Sequence, residues 1–191
     1  NINCQRSELS LDDDVRILLY TGRLSAEKGV FDLVKIDEKV REAYPNTLLV
    51  IVGVGTAETE LLKQLPNAKF LGWVTHEVLN KWYTVSDFLI LPSKFDTFGC
   101  VILEAMRCGL PVAGYSVKGP KDIIQQKVNG VLADDAESLA ENIIQVFNEP
   151  SLHQSLKQNA KLRNDDYSPE KIMKNCLRIL SCQWNHDERF W

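Results

Sequence analysis

Six short β-rich runs, each followed by a stretch with helical apolar spacing, constrain this 191-residue chain more than any other feature. The runs cover 15–20, 48–52, 68–71, 88–91, 112–115 and 130–132. Helical patterns fall between and after them, at 26–43, 57–64, 75–85, 100–108, 121–126 and 136–148. This βα alternation predicts an α/β, Rossmann-like three-layer domain: a parallel six-stranded sheet with helices on both faces. In such sheets ligands bind at the carboxyl ends of the strands, so the loops after the strands are the functional candidates.

Beyond Asn148 the character changes. Pro150 and Pro169 punctuate two further helical patterns, 151–164 and 169–182, which read as appended C-terminal helices. No repeat, low-complexity tract or Gly/Ser linker divides the chain. Residues 1–14 are expected to be an extension or linker from an N-terminal domain, 15–182 one Rossmann-like unit that includes the C-terminal helices, and 183–191 a tail. The aromatics of that tail, Trp184, Phe190 and Trp191, suggest either a docking surface or rings folded back on their own domain.

Composition removes several classes of function. With 45% hydrophobic and 25% charged residues the chain can bury one substantial core, and a net charge of −4 with pI near 5.4 argues against nucleic acid as a partner. Five cysteines, odd in number and never spaced as CxxC, argue against a disulfide framework or zinc site and fit a reducing cytosol. His76, His153 and His186 lie far apart with no metal-ligand spacing, so no protein-bound metal is expected. No apolar run approaches the roughly 20 residues that cross a bilayer. The chain opens at Asn1 with polar residues and no signal-like segment, which suggests an excised piece of a longer protein.

The most informative segment runs from Ser93 to Val112. The run at 88–91 ends at Pro92, and Ser93, Lys94, Phe95, Asp96, Thr97, Phe98 and Gly99 then lead into a helix. Gly99 allows backbone to approach a ligand, and the amides of Gly99, Cys100 and Val101 would point at an anion, aided by the helix dipole. A diphosphate suits that place. The helix that follows is apolar on almost every side and should be buried, yet Glu104 lies in its middle and needs a partner. It stands about 7.5 Å along the axis from Gly99, suited to ribose hydroxyls when the amides hold phosphates. Asp96 could address sugar hydroxyls. The spacing leaves a second interpretation equally open: Glu104 pairs with Arg107, Asp96 caps a turn and Gly99 permits a bend. Cys100 and Cys108 are expected as small buried residues.

A second stretch, Gly22 to Gly29 (GRLSAEKG), places two cations beside glycines at a strand-to-helix junction. Arg23 can grip phosphate oxygens through its fork and Lys28 can supply a point charge, both neutralising a leaving diphosphate. A solvated basic pair is the plainer explanation, but cations there would oppose the helix dipole. Gly53-Val54-Gly55 lacks the third glycine of a dinucleotide fingerprint, since Glu58 occupies its place, and is expected to be a tight turn.

Taken together, GRLSAEKG at 22–29, VGVG at 52–55, LGWVTHEVLNKWYTVSDFLILPS at 71–93 and FDTFGCVILEAMRCGLPV at 95–112 resemble glycosyltransferase family four, over roughly 16–148. The resemblance implies one half of a GT-B fold in a retaining, generally metal-independent hexosyltransferase acting on a nucleotide sugar, with no cofactor. By that resemblance Arg23 and Lys28 hold the donor diphosphate, Gly99, Cys100 and Val101 offer amides, Glu104 holds the ribose, and Gly22, Gly53, Val74 and Phe98 surround the donor. Asp96 stands where the family usually has a glutamate that contacts the transferred sugar. Gly119-Pro120-Lys121-Asp122 also departs from the usual pattern, and with the DTFG sequence it resembles a subset using GDP-mannose or UDP-hexoses. The base is expected near 72–74, with Trp73 itself a core aromatic.

The resemblance further implies an N-terminal acceptor domain as partner, a lipid, saccharide or polysaccharide acceptor, and a cytoplasmic location, including the inner face of the membrane through that other half. Without it the chain should be inactive. Two other functions remain in view: a nucleotide-sugar 2-epimerase, which would alter donor without acceptor, and a non-catalytic nucleotide-binding module such as a receiver domain. A receiver needs acidic residues after the first strand, whereas Asp12, Asp13 and Asp14 precede it.

Overall fold

The computed structural model describes residues 4–95, 99–165, 167 and 171. Its strands are β1 (Arg16–Thr21), β2 (Thr47–Val52), β3 (Lys69–Gly72), β4 (Phe88–Leu91), β5 (Val112–Tyr115) and β6 (Gly130–Ala133). The α-helices described are α1 (Asp32–Ala43), α2 (Glu58–Gln64), α3 (His76–Val85), α4 (Cys100–Arg107), α5 (Pro120–Ile123), α6 (Ala136–Asn148) and α7 (Pro150–Asp165). All neighbouring strands run parallel, in the order β3-β2-β1-β4-β5-β6. The expected Rossmann-like α/β domain is therefore what the chain forms. Its strand order reverses between β1 and β4, where the crevice of a doubly wound sheet opens.

Alternate residues of one strand feed two apolar layers. Leu18 and Tyr20 of β1 meet Leu33 and Ile36 of α1 and Leu139 and Ile143 of α6. Ile17 and Leu19 meet Trp82 and Tyr83 of α3 and Ile102, Ala105 and Met106 of α4 on the opposite face. A sheet covered on both sides uses the strand's period of two twice over. Each fully buried Leu, Ile or Met among them contributes about 1.5–3 kcal/mol.

Two helical expectations change. The pattern at 26–43 is split: Ala26–Lys28 form a single 3-10 turn, Gly29 takes a left-handed conformation at φ 65°, and α1 starts only at Asp32. The helix expected at 121–126 is a short turn from Pro120 to Ile123, ended where the Asn129 side chain accepts from the Gln125 amide at 2.8 Å. The second appended helix (169–182), apart from Lys171, and the tail (183–191) lie outside the described residues.

A buried carboxylate secures the amino end of the sheet. Asp87, 2% exposed, accepts from Arg6 and from the Ile17 amide, both at 2.9 Å, and from Lys157 of α7 at 3.3 Å. The His153 ring of α7 donates to the Asp87 carbonyl at 3.1 Å. The segment before β1, β1 itself, β4 and α7 are thus tied at one point.

Candidate functional site

Three loops at the carboxyl edge are drawn together by glycines. The Gly22 amide donates to Val52 at 3.0 Å and Leu24 to Val54 at 3.0 Å, so the loop after β1 lies along the loop after β2. At Gly53 a Cβ would fall 1.9 Å from the Gly22 carbonyl oxygen, and at Gly29 one would fall 1.8 Å from that of Pro92. No side chain fits at either position. The Gly53-Val54-Gly55 turn therefore does more than reverse the chain: it docks one loop backbone on another. Gly29 does the same for the 3-10 turn that carries Lys28, pressing it against the exit of β4.

This packing leaves a cavity of about 200 Å³ between β1 and β4. Of the residues singled out in the sequence, it is lined by Gly22, Lys28, Gly99, Cys100 and Val101, joined by Tyr20, Thr21, Leu91 and Ser93. Gly99 is the N-cap of α4 at φ 70°, and its carbonyl accepts from Ile102 at 2.8 Å. The amides of Cys100 and Val101 come before that bond, where a helix supplies no acceptor of its own. A cation and the positive end of a helix dipole thus share one small space, an arrangement suited to an anion.

Glu104 lies one turn into α4. It is half-buried, because α4 buries only the face bearing Ile102, Ala105 and Met106, contrary to the expectation of a helix enclosed all round. Its carboxylate accepts from the Tyr83 hydroxyl of α3 at 3.2 Å. Burial first, and the nearby Glu104 charge second, hold the Tyr83 phenol well above its usual range, so it stays protonated and donates. Among the described residues Glu104 makes no ion pair with Arg107, which is exposed, so the Glu104–Arg107 alternative does not form.

Other expectations fare differently. Arg23 is not at the cavity: its side chain is 66% exposed and lies 3.6 Å from Glu27. Cys100 is exposed at the start of α4 rather than buried, and Cys108 at its C-cap is intermediate, because the face of α4 that packs is the one bearing Ile102, Ala105 and Met106. Trp73 is 76% exposed and no core residue; Trp82 fills that role at 3%. Val74 packs at the edge of the α3–α4 layer. Asp96 and Phe98 lie outside the described residues. Tyr20, Thr21 and Ser93, which the cavity adds, stand in the informative stretches of the sequence but were given no role there, and Tyr83, which positions Glu104, was not singled out. Ser93 and Thr21 could have been found as the polar residues at the carboxyl ends of the two central strands, whereas Tyr83 gave no local signal.

A larger cavity of about 490 Å³ lies on the far side of Lys94, lined by Asp32, Asp134, Asp135 and Glu137 besides Lys35 and Tyr115. Lys94 stands 3.6 Å from Asp32, and Tyr115 donates to Asp32 at 2.7 Å. Its four carboxylates against two lysines repel a diphosphate, so size does not make it the anion site.

Among the described residues no helix is long and apolar enough to cross a membrane. The profile of the family described as glycosyl transferases group 1 matches residues 1–163. An uncharacterized glycosyltransferase of Methanocaldococcus jannaschii is 34% identical over 187 residues, covering 93% of this chain and 47% of that protein. A GDP-mannose-dependent alpha-mannosyltransferase of Corynebacterium glutamicum is 36% identical over 119 residues, 62% of this chain and 28% of that protein. The solved structure of sucrose-phosphate synthase from Thermosynechococcus elongatus superposes with a TM-score of 0.78 at 27% identity, over 95% of this chain and 49% of that one. The chain spans about half the length of the curated relatives it matches, or less. With the family profile covering most of its length and the sheet order and glycine-docked loops in place, the chain belongs to the group 1 glycosyltransferases.

Proposed function

We propose that the protein transfers a hexose from a UDP- or GDP-linked sugar to a lipid, saccharide or polysaccharide acceptor, with retention at the anomeric carbon. The observation that carries the proposal is the cavity between β1 and β4, where Lys28 and the first amides of α4 face one space. As the anomeric C–O bond breaks, its electron pair moves onto the diphosphate. Lys28 and the amides of Gly99, Cys100 and Val101 stabilise that charge more than they stabilise the intact donor.

Arg23 joins as a second cation by giving up its exposed pairing with Glu27, an exchange of little cost for a pair so open to water. Glu104, oriented by Tyr83, accepts from ribose hydroxyls. Gly22 and Gly53 admit the diphosphate close to backbone, Val74 and Phe98 flank the donor, and Asp96 receives hydroxyls of the transferred sugar. The mannosyltransferase relative, named for its GDP-mannose dependence, supports a nucleotide-linked hexose. The acceptor domain belongs to the length of the relatives that this chain does not span, so residues 1–191 alone bind donor without turnover.

A thermal-shift panel of UDP, GDP, ADP and their sugars tests the reading. A ligand that binds only the folded state stabilises it by about 2.7 kcal/mol at a hundredfold excess over Kd. A rise in melting temperature with one base family is expected, and silence across the panel sinks the proposal.

A further inference from the structure

We propose that the face built by α7, the end of α4 and the α5 turn docks on an anionic bilayer surface. Charge is divided between the two layers of the molecule. In α1 and α2 each of Lys35, Lys39, Arg41 and Lys63 pairs with a carboxylate, and α6 adds Glu137 and Glu141 but no cation. Across the sheet Arg107, Lys121, Lys127 and Lys161 are all exposed, and none of them makes an ion pair among the described residues. The acids nearest them in the chain are engaged: Glu104 accepts from Tyr83 at 3.2 Å, and Asp122 accepts from the Gly119 amide at 3.2 Å.

The packing of α7 gathers these cations. Lys161 lies over the end of α4, where a Cβ on Gly109 would fall 2.6 Å from Lys161 Cε, two residues beyond Arg107. On its other side Asn159 donates to the Val128 carbonyl at 3.0 Å, and Arg163 donates to the Ile123 and Asp122 carbonyls, both at 3.1 Å. Those bonds bring Lys127 and Lys121 alongside the helix. Among the cations stand two apolar side chains left in water, Val128 at 43% and Leu162 at 64% exposed. Leu162 follows Asn159 by three residues and so shares its side of α7.

Unpaired cations around protruding apolar tips suit a bilayer interface. Their charged heads meet lipid phosphates while the tips enter the headgroup boundary. An acidic polypeptide would match the cations alone. The same surface repels the carboxylates of the opposite layer, so the molecule approaches with α7 first despite its net charge of −4. Gly99 at the anion cavity and Arg107 on this face stand at opposite ends of α4, about 12 Å apart, so docking leaves the cavity open.

Flotation of the protein with vesicles of phosphatidylcholine alone, or with about one-third phosphatidylglycerol, tests the proposal. Binding is expected to the anionic vesicles only, and should weaken between about 0.1 M and 0.5 M salt. In the Lys121→Glu/Lys161→Glu variant it should fall about 10-fold or more, since each lysine near such a surface contributes about 5-fold. Lys35→Glu/Lys63→Glu changes net charge equally on the opposite layer and should stay within about 3-fold of wild type. Val128→Ser/Leu162→Ser should also weaken binding, most clearly at high salt. All these side chains are exposed, so melting temperatures should stay near that of wild type. Absence of binding to the anionic vesicles overturns the proposal, as does equal binding to phosphatidylcholine alone. Equal loss in the two charge variants also overturns it, because net charge and not this face is then responsible. Capture on immobilised poly-glutamate without vesicle binding gives the face to an acidic protein and overturns the bilayer. The vesicles carry no nucleotide, so each of these outcomes leaves the proposed function to its own test.

Discussion

Gly29 and Pro92 approach so closely that a Cβ on Gly29 would sit 1.8 Å from the Pro92 carbonyl oxygen. This contact sets Lys28 against the end of β4 and so builds one wall of the cavity. Gly29→Ala meets both the backbone clash and a φ of 65° that L side chains disfavour. The conformation alone costs about 1–3 kcal/mol. Urea unfolding should show that loss together with weaker nucleotide binding; a midpoint equal to wild type would show that the loop relaxes freely.

Lys28→Met removes the cation while keeping much of the side-chain bulk. Loss of a charge-assisted contact costs about 1.5–3 kcal/mol, so affinity for the stabilising nucleotide should fall about 10-fold or more. Folding should be little affected, because Lys28 lies at the rim of the cavity. Titration calorimetry reads the change, and wild-type affinity in Lys28→Met would remove this residue from the phosphate site.

Glu104→Ala should cost about 1.5–3 kcal/mol of nucleotide binding if its carboxylate holds ribose. Tyr83→Phe should weaken binding less, because it removes only the hydroxyl that orients Glu104 at 3.2 Å. Pyrophosphate should bind both variants as it binds wild type. A nucleotide affinity that does not respond to Glu104→Ala would assign the residue to packing instead.

Asp87→Ala strips the partner from Arg6, Lys157 and the Ile17 amide together. Breaking a buried pair from one side costs about 3–5 kcal/mol, and the low end applies because Lys157 keeps access to water. Chemical unfolding should report this, with no direct effect on nucleotide affinity at the opposite end of the sheet. A loss below about 1 kcal/mol would show that water replaces the carboxylate.

Stability should fall on mild acidification because of His153. Burial first, then the charge of Lys157, with a smaller contribution from Arg16, depresses its pKa below the ordinary histidine value of 6.5, while the Asp87 carbonyl and carboxylate oppose the shift. Below about pH 6.5 the unfolded chain therefore binds more protons than the folded one. This contribution is whole above that pH and is lost as pH drops toward the folded-state value. Melting temperatures at pH 7.5 and 5.5 should differ more for wild type than for His153→Gln, and parallel profiles would acquit the histidine.

Much of the fold was legible because its signal is local and repeated. The bounds of β4, β5 and α6 are those expected, since strands buried on both faces carry unbroken apolar runs and α6 begins at an Asp135 side chain that accepts from Ser138 at 2.8 Å. The split of 26–43 was hidden because Gly29 reads as an ordinary weak point in a helix until Pro92 stands against it. Trp73 was misplaced for a similar reason. Aromatic residues are usually buried, and nothing nearby in the chain says that Trp82 already fills the core.

By itself the sequence determined the parallel α/β sheet, the loops that carry function, and the pairing of Lys28 with the glycine-led start of α4 as candidates for one anion. These follow from apolar period, turn residues and helix-start chemistry, all read within a few neighbours. Only the tertiary structure decided which candidates meet. It seated Lys28 at the cavity, turned Arg23 to Glu27, gave Glu104 to Tyr83 in place of Arg107, and left Trp73 in water. Those outcomes depend on backbones approaching within a Cβ's width across strands far apart in the chain, a constraint visible only when both sides of the contact are present.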